Sequence, residues 1–377
     1  MSQNQNENCE YYQQHLDRVS RSFAFCIARL DASLRETVGL SYLLCRLIDT
    51  VEDAHWSSFE AQKHAFSTFD RLVGIALARP AASGRDFEQD LSAKVSAWRE
   101  TFPAGLPEGE VLLIQDGDRI FSDFSQWPEP QRSELGRLVL SMSAGMCHYM
   151  GRKQRTGQLV LSDAAEVNRY CFFVAGIVGE MLTRLSARRP ATDSATDSAT
   201  DSASDLQKLR DAFRFGLFLQ KVNLLKDQKE DELEGRHLVP SRSQVLASLL
   251  QDAEAAFRYL VTLPEDDVGF RLFCAWSLFL GLASLPWIEA AQTSGEKLKI
   301  PREEALELFH VIEALIQDPA ALSGMFHDLL AESRELVKPA GLTGPKPSEA
   351  TEMEERDLLA LYLGDLPKES VLELFRA

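Results

Sequence analysis

Two stretches of the chain carry polar side chains at helical spacing through otherwise apolar sequence. In Tyr42-Leu-Leu-Cys-Arg46-Leu-Ile-Asp49-Thr-Val-Glu52-Asp53, residues Tyr42, Arg46, Asp49 and Asp53 recur at intervals of four, three and four, which places them on one helical face. In Gln220-Lys-Val-Asn223-Leu-Leu-Lys226-Asp227-Gln-Lys-Glu-Asp231, residues Gln220, Asn223, Asp227 and Asp231 repeat the design. Leu43, Leu44, Leu47, Ile48 and Val51 surround the first stripe. Leu217, Phe218, Leu219, Val222, Leu224 and Leu225 surround the second, so both helices read as enclosed by neighbours. An unpaired carboxylate facing a closed apolar core costs roughly several kcal/mol. Hard divalent cations remove that cost, since Mg²⁺ takes oxygen ligands from a few carboxylates together with water and phosphate oxygens. Two such stripes face to face could hold a diphosphate through bridging Mg²⁺. The competing reading of either stripe alone is a solvated helix face; the matching of two, each set among leucines, argues against it. A calcium loop of the EF-hand type is disfavoured because its spaced ligands and central glycine are missing.

Three further pieces could serve the same chemistry. Ser20-Arg21-Ser22-Phe23 offers a guanidinium and hydroxyls suited to phosphate oxygens, and Arg236 follows the second stripe closely. Either arginine could instead make a surface ion pair. Tyr170-Cys-Phe-Phe-Val-Ala-Gly176-Ile-Val-Gly179 is an apolar helix with one phenol and two small residues three apart; close helix packing around a hydrogen-bonded tyrosine explains it equally well.

The elements that must position these residues are helices. Almost every long segment shows three- and four-residue apolar spacing, while alternating runs bounded by turn residues are nearly absent, which predicts an all-α chain. Breaks fall at Arg79 to Gly84, Phe102 to Gly109, Trp127 to Pro130 and Lys338 to Ser348. The low-complexity repeat ATDSATDSATDSASD over 191–205 is too poor in apolar groups to order itself and is expected to be a flexible loop. The expected division is an N-terminal tail over 1–14, one domain over 15–337 and a C-terminal extension over 338–377 without a membrane helix.

With 377 residues, 45% hydrophobic and 26% charged, the chain has an ordinary globular composition. Its formal charge of −17 opposes broad binding of nucleic acid or anionic lipid, although metal ions or a local arginine cluster could reverse the field within a cleft. The six cysteines form no CxxC pair and read as thiols in a reducing cytosol. The N-terminus lacks the basic and apolar regions of a signal peptide. The uncharged run from Leu272 to Ile288, interrupted by Pro286, falls short of the roughly 20 residues a membrane span needs, so it reads as a buried core helix. A cytoplasmic enzyme with at most peripheral contact with a membrane is expected, with a monomer favoured.

The segments SRSFAFCIARL, YLLCRLIDTVED, YCFFVAGIVG and GLFLQKVNLLKDQKEDELEGR, in this order, resemble the squalene and phytoene synthase family over roughly residues 15 to 300. The GLFLQKxN context and the FCAW stretch at Phe273 are more similar to its squalene synthases than to the shorter phytoene or dehydrosqualene synthases. The resemblance implies a single-domain, all-α isoprenoid synthase fold around a central cavity. It also implies head-to-head joining of two farnesyl diphosphates into presqualene diphosphate, then an NADPH-dependent reductive rearrangement to squalene. By the same resemblance, Asp49, Glu52, Asp53, Asn223, Asp227 and Asp231 bind Mg²⁺ and diphosphate. Ser20, Arg21, Ser22, Phe23, Tyr42, Arg46, Gln220 and Arg236 hold the substrate or assist its ionisation, and Tyr170 takes part in proton removal. Phe23, Phe172, Phe173, Phe218 and Phe273 could line a dry end of the site, or simply fill the core.

Cofactor binding departs most from the family pattern. No GxGxxG follows a strand, so a Rossmann site is excluded. The residues matched to NADPH are Lys226, Lys299 and Arg302, with Pro301 where the better-known enzymes usually carry arginine. Synthesis of dehydrosqualene or phytoene, or arrest at presqualene diphosphate, therefore stays open beside squalene synthesis. So do a terpene cyclase and a non-catalytic assembly protein of the same fold, although the latter would be expected to lose its acidic ligands.

Overall fold

The computed structural model describes residues 3–80, 84–187, 203–294 and 298–337, apart from a few side chains, among them those of Arg21 and Ser22. The chain forms two compact units that divide after Thr156. The repeat loop lies outside the described residues up to its last three positions, and so does the extension over 338–377.

The first unit holds eight helices among the described residues: α1 (Gln3–Val19), α2 (Arg21–Ile27), α3 (Ala32–Asp53), α4 (Phe59–Leu77), α5 (Arg85–Arg99), α6 (Glu108–Gln115), α7 (Gly117–Gln126) and α8 (Gln131–Thr156). Within the expected tail over 1–14, the described residues from Gln3 onward are helical, because Cys9, Tyr12 and Leu16 form an apolar ridge that α1 buries against α3. The Tyr12 hydroxyl also donates to Asp123 of α7 at 2.8 Å. Helix α3 starts where the Asp31 carboxylate accepts from the Leu34 N–H at 3.0 Å, satisfying a donor with no intrahelical partner. Its leucines at 40, 43, 44 and 47, with Ile48 and Val51, are fully buried, so the rest of the helix surface is fixed by default. Behind it, Trp98 of α5 lies against Phe69 of α4 and Phe121 of α7 and donates its indole N–H to the Ala65 carbonyl at 3.0 Å.

The second unit contains β1 (Leu159–Val160), α9 (Ala164–Cys171), a π-helical turn (Phe172–Gly176), α10 (Ile177–Ala187), α11 (Ala203–Leu233), β2 (Arg236–His237), α12 (Arg242–Val261), α13 (Val268–Ser294), α14 (Arg302–Leu315) and α15 (Pro319–Glu335). Residues 203–205, assigned to the repeat, begin α11. The long α11 is the axis of this unit and packs against α9, α10, α12 and α13. The two short strands, which periodicity did not reveal, pair in parallel with Leu159 opposite Arg236. Two residues are too few to show an alternating pattern.

Helix α13 corrects another expectation. Pro286 lies inside it, and Val268–Gln292 is long and apolar enough by length and composition to cross a membrane, with 72% of that window buried in the protein. Pro286 has no N–H to offer Leu282, but packing against α11, α12, α14 and α15 keeps the helix continuous.

Candidate active site

In the first unit, Tyr42, Arg46, Asp49 and Asp53 share the face of α3 left over once its leucines are buried. Ser20, at the start of α2, lies beside the Tyr42 phenol, and the Phe23 ring lies 5.9 Å from that of Tyr42. Burial pushes the Tyr42 phenol up to about 12. Arg46 donates to the Glu110 carboxylate of α6 and lies 3.8 Å from Asp49. Asp49 is surrounded by protein, yet 33% of its side chain remains accessible. Burial raises its pKa to about 7; Arg46 opposes the shift, while Asp53 and Glu110 add to it. Glu52, expected beside Asp49 and Asp53, is buried, whereas Asp53 is exposed.

The last turn of α3 is held from outside. Gln62 of α4 donates to the carbonyls of Val51 at 3.0 Å and Glu52 at 2.9 Å, and the Trp56 indole donates to Val51 at 2.8 Å. Those carbonyls have no partner within the helix. Asp49 and Asp53 therefore sit on a rigid helix end whose own dipole is negative, an arrangement that repels anions and attracts a cation.

In the second unit the acidic stripe again occupies a helix C-terminus. Lys226, matched to cofactor binding by resemblance, donates to the Asn223 amide oxygen at 3.1 Å and pairs with the Asp227 carboxylate at 3.0 Å, two of the expected metal ligands. Arg236 is 2.9 Å from Asp231 and 3.0 Å from Glu234. It returns to the stripe because Gly235, at φ +72°, turns the chain sharply after α11, a backbone state that costs a side-chain-bearing residue far more. Gln220 is half-buried one turn before Asn223.

Tyr170 is buried near the end of α9, immediately before the π-helical turn. Helix α9 is fixed at its start: Asp163 accepts from the Glu166 N–H at 2.8 Å, and Glu166 accepts from the Ser162 N–H and hydroxyl at 2.5 and 2.8 Å. The small residues that follow serve close packing. A Cβ on Gly179 would lie 2.0 Å from the Ala212 carbonyl oxygen, and one on Gly216 would lie 2.3 Å from that of Ala175. Phe172, Phe173, Phe218 and Phe273 are buried; Phe172 packs against Phe213 with ring centroids 5.2 Å apart.

The donor sets fit Mg²⁺. Among the described residues no three His, Cys, Asp or Glu side chains converge into a closed cage. Pairs of oxygens one turn apart suit an ion that keeps waters and takes phosphate oxygens. The NADPH residues fit less well. Lys299 is exposed between α13 and α14, and Arg302 opens α14, but Glu303 and Glu304 follow in the same turn and cancel their charge.

Spacing alone did not reveal Glu110, which is 64 residues from its partner Arg46. Its one sequence signal is a carboxylate immediately before the apolar run over 111–114 of α6.

Residues 16–244 match the squalene/phytoene synthase family. The chain is 28% identical over 304 residues to a squalene synthase of Schizosaccharomyces pombe, covering 74% of this chain and 59% of that enzyme, so it spans little more than half the length of that relative. A solved complex of TcSQS with the ligand E5700 superposes with a TM-score of 0.65 at 21% identity, covering 98% of this chain and 99% of that one. A dehydrosqualene synthase structure does so with a TM-score of 0.50 at 16% identity, covering 84% and 98%. The fold is the all-α isoprenoid synthase fold. With its family's sequence pattern running across both acidic stripes, the chain belongs to the squalene/phytoene synthase family.

Proposed function

We propose that the protein is a prenyltransferase that joins two farnesyl diphosphates head to head through presqualene diphosphate and reduces the product to squalene with NADPH. The observation that carries this reading is the acidic face of α3, where Asp49 and Asp53 stand beside an arginine, within a chain of this family.

Ionising an allylic diphosphate separates a carbocation from a polyanion, so the departing charge must be met by cations already in place. Asp49, Glu52, Asp53, Asn223, Asp227 and Asp231 are the residues that would hold Mg²⁺. Bound there, the ion supplies charge neutralisation to the leaving group. Arg46, kept oriented by Glu110, and Arg236 donate to diphosphate oxygens, joined by Arg21, Tyr42, Gln220 and the hydroxyls of Ser20 and Ser22. Closing a cyclopropane requires loss of a proton. A phenol with an ordinary pKa near ~10 is a poor base, so Tyr170 passes that proton to the released diphosphate rather than keeping it. The reductive half rests on likeness to squalene synthases and on Lys299 and Arg302, whose neighbouring glutamates weaken a polyanion site.

The deciding experiment incubates the enzyme with farnesyl diphosphate and Mg²⁺, with and without NADPH, followed by mass analysis. Squalene formed only with NADPH supports the full reading. A thirty-carbon product without NADPH points to dehydrosqualene, accumulated presqualene diphosphate points to arrest after the first half, and a fifteen-carbon product points to a cyclase. No diphosphate release from the wild type, or unchanged release from Asp49→Asn and Asp227→Asn, rejects the enzymatic reading.

A further inference from the structure

The second unit contains a buried ion pair that the proposed chemistry does not use. Lys221 of α11 is 0% exposed and donates to Asp252 of α12 at 2.5 Å and to the Ser248 hydroxyl, also on α12, at 2.7 Å. Ser248 in turn points its hydroxyl at the Asn168 amide oxygen of α9, 3.4 Å away. The other Asp252 oxygen lies 3.5 Å from Arg214, two turns before Lys221 on α11. The direction of donation is consistent throughout: ammonium to hydroxyl, hydroxyl to amide carbonyl. Such chains polarise and reinforce one another in a low-dielectric interior.

Energy alone gives little reason for this pair. Replacing a buried ion pair by apolar side chains of similar volume is often neutral or stabilising by about 1–4 kcal/mol. Its position suggests a different purpose. Lys221 and Arg214 lie on one face of α11, about a third of a turn around the helix from the stripe of Gln220, Asn223 and Asp227. Anchoring that face to α12 sets the rotation of α11 about its axis. Through Ser248 and Asn168 the same anchor reaches α9, two residues before Tyr170. A rotation of about 20° moves an atom ~6 Å from a helix axis by about 2 Å, and a misplacement of about 1 Å in a reacting constellation can cost ~100-fold in rate.

We propose that the Lys221–Asp252 pair, with Ser248 and Asn168, is a positioning tether that aligns Tyr170 of α9 with the Gln220, Asn223 and Asp227 stripe of α11. The tether gives Lys221 and Asp252 a role in turnover although neither touches substrate. This inference rests on the proposed prenyl transfer for its kinetic consequence and on the geometry alone for its structural one.

Two double variants test it. Lys221→Met with Asp252→Leu removes the tether at similar volume, and Lys221→Gln with Asp252→Asn keeps a neutral hydrogen-bonded version. The expected result for the apolar pair is a thermal midpoint at or above that of the wild type, kcat lowered by about 30-fold or more and KM for farnesyl diphosphate within about threefold. The amide pair should return kcat to within about fivefold of the wild type. Amide hydrogen exchange should rise about tenfold over residues 164–171 in the apolar pair alone and stay unchanged over residues 319–335. Wild-type kcat in the apolar variant overturns the tether, as does failure of the amide pair to rescue. Failure of the apolar variant to fold also overturns it, because the pair would then hold the fold and not the alignment. If the wild type turns over no farnesyl diphosphate, the proposed function fails, and the exchange rates alone decide the tether: unequal rates over 164–171 uphold it and equal rates reject it.

Discussion

Replacing Asp49 by Asn should stabilise the cation-free protein while abolishing prenyl transfer. The folded state raises the Asp49 pKa from 3.8 to about 7, chiefly by burial. The native protein therefore binds more protons at this carboxyl than the unfolded chain does between those two values. Its contribution to stability is greatest below the unfolded pKa, falls as pH rises toward 7, and is constant beyond. Each pH unit between the two values is worth about 1.4 kcal/mol, which sets a ceiling of about 4 kcal/mol. With 33% of the side chain accessible, solvent screening reduces this to roughly 1–2 kcal/mol near pH 8. Asn keeps the size, removes the charge and leaves Arg46 with Glu110. The assay is thermal unfolding near pH 5, 6.5 and 8 in chelator, then with Mg²⁺ and inorganic diphosphate. Asp49→Asn should melt about 1–3 °C above the wild type near pH 8, with a smaller difference near pH 5. Mg²⁺ with diphosphate should raise the wild-type midpoint and leave the variant's nearly unchanged. A variant less stable than wild type near pH 8 without metal, or a difference that ignores pH, would refute the reasoning.

Other perturbations test separate parts of the site. Glu110→Gln removes the charged partner that orients Arg46; kcat/KM for farnesyl diphosphate should fall about tenfold, with no change in helix content by circular dichroism. Gly179→Ala forces a methyl onto the Ala212 carbonyl, and a loss of about 1–3 kcal/mol or more should appear as a lower urea midpoint. Tyr170→Phe should retain Mg²⁺-dependent substrate binding, measured by calorimetry, while presqualene diphosphate formation drops about 100-fold or more.

The acidic stripes were legible because their spacing is local: Tyr42 to Asp53 lie within one helix, and the leucines between them announce which face is buried. The all-α class was legible for the same reason. What the sequence concealed depends on distance along the chain or on competition between local signals. The Arg46–Glu110 pair, the Gln62 bonds to the α3 carbonyls and the Lys221–Asp252 pair join residues with no periodic relation. The polar opening of α1 concealed Cys9, Tyr12 and Leu16 as a docking ridge. Pro286 marked a break that tertiary packing overrides. The contacts of Lys226 with Asn223 and Asp227 depend on side-chain conformation, which spacing alone does not give.

Both acidic stripes lie at negative helix ends, but the two ends are secured differently. The final carbonyls of α3 are fastened by side chains of the first unit, Gln62 and Trp56. The end of α11 relies on Arg236 gripping Asp231 and Glu234. When the ion is scarce, the two ends should therefore loosen unequally, with the last turn of α11 the first place a protease could cut. Under the proposed function, a bound Mg²⁺ would act as a local splint there, lengthening the life of the protein before it is put to use.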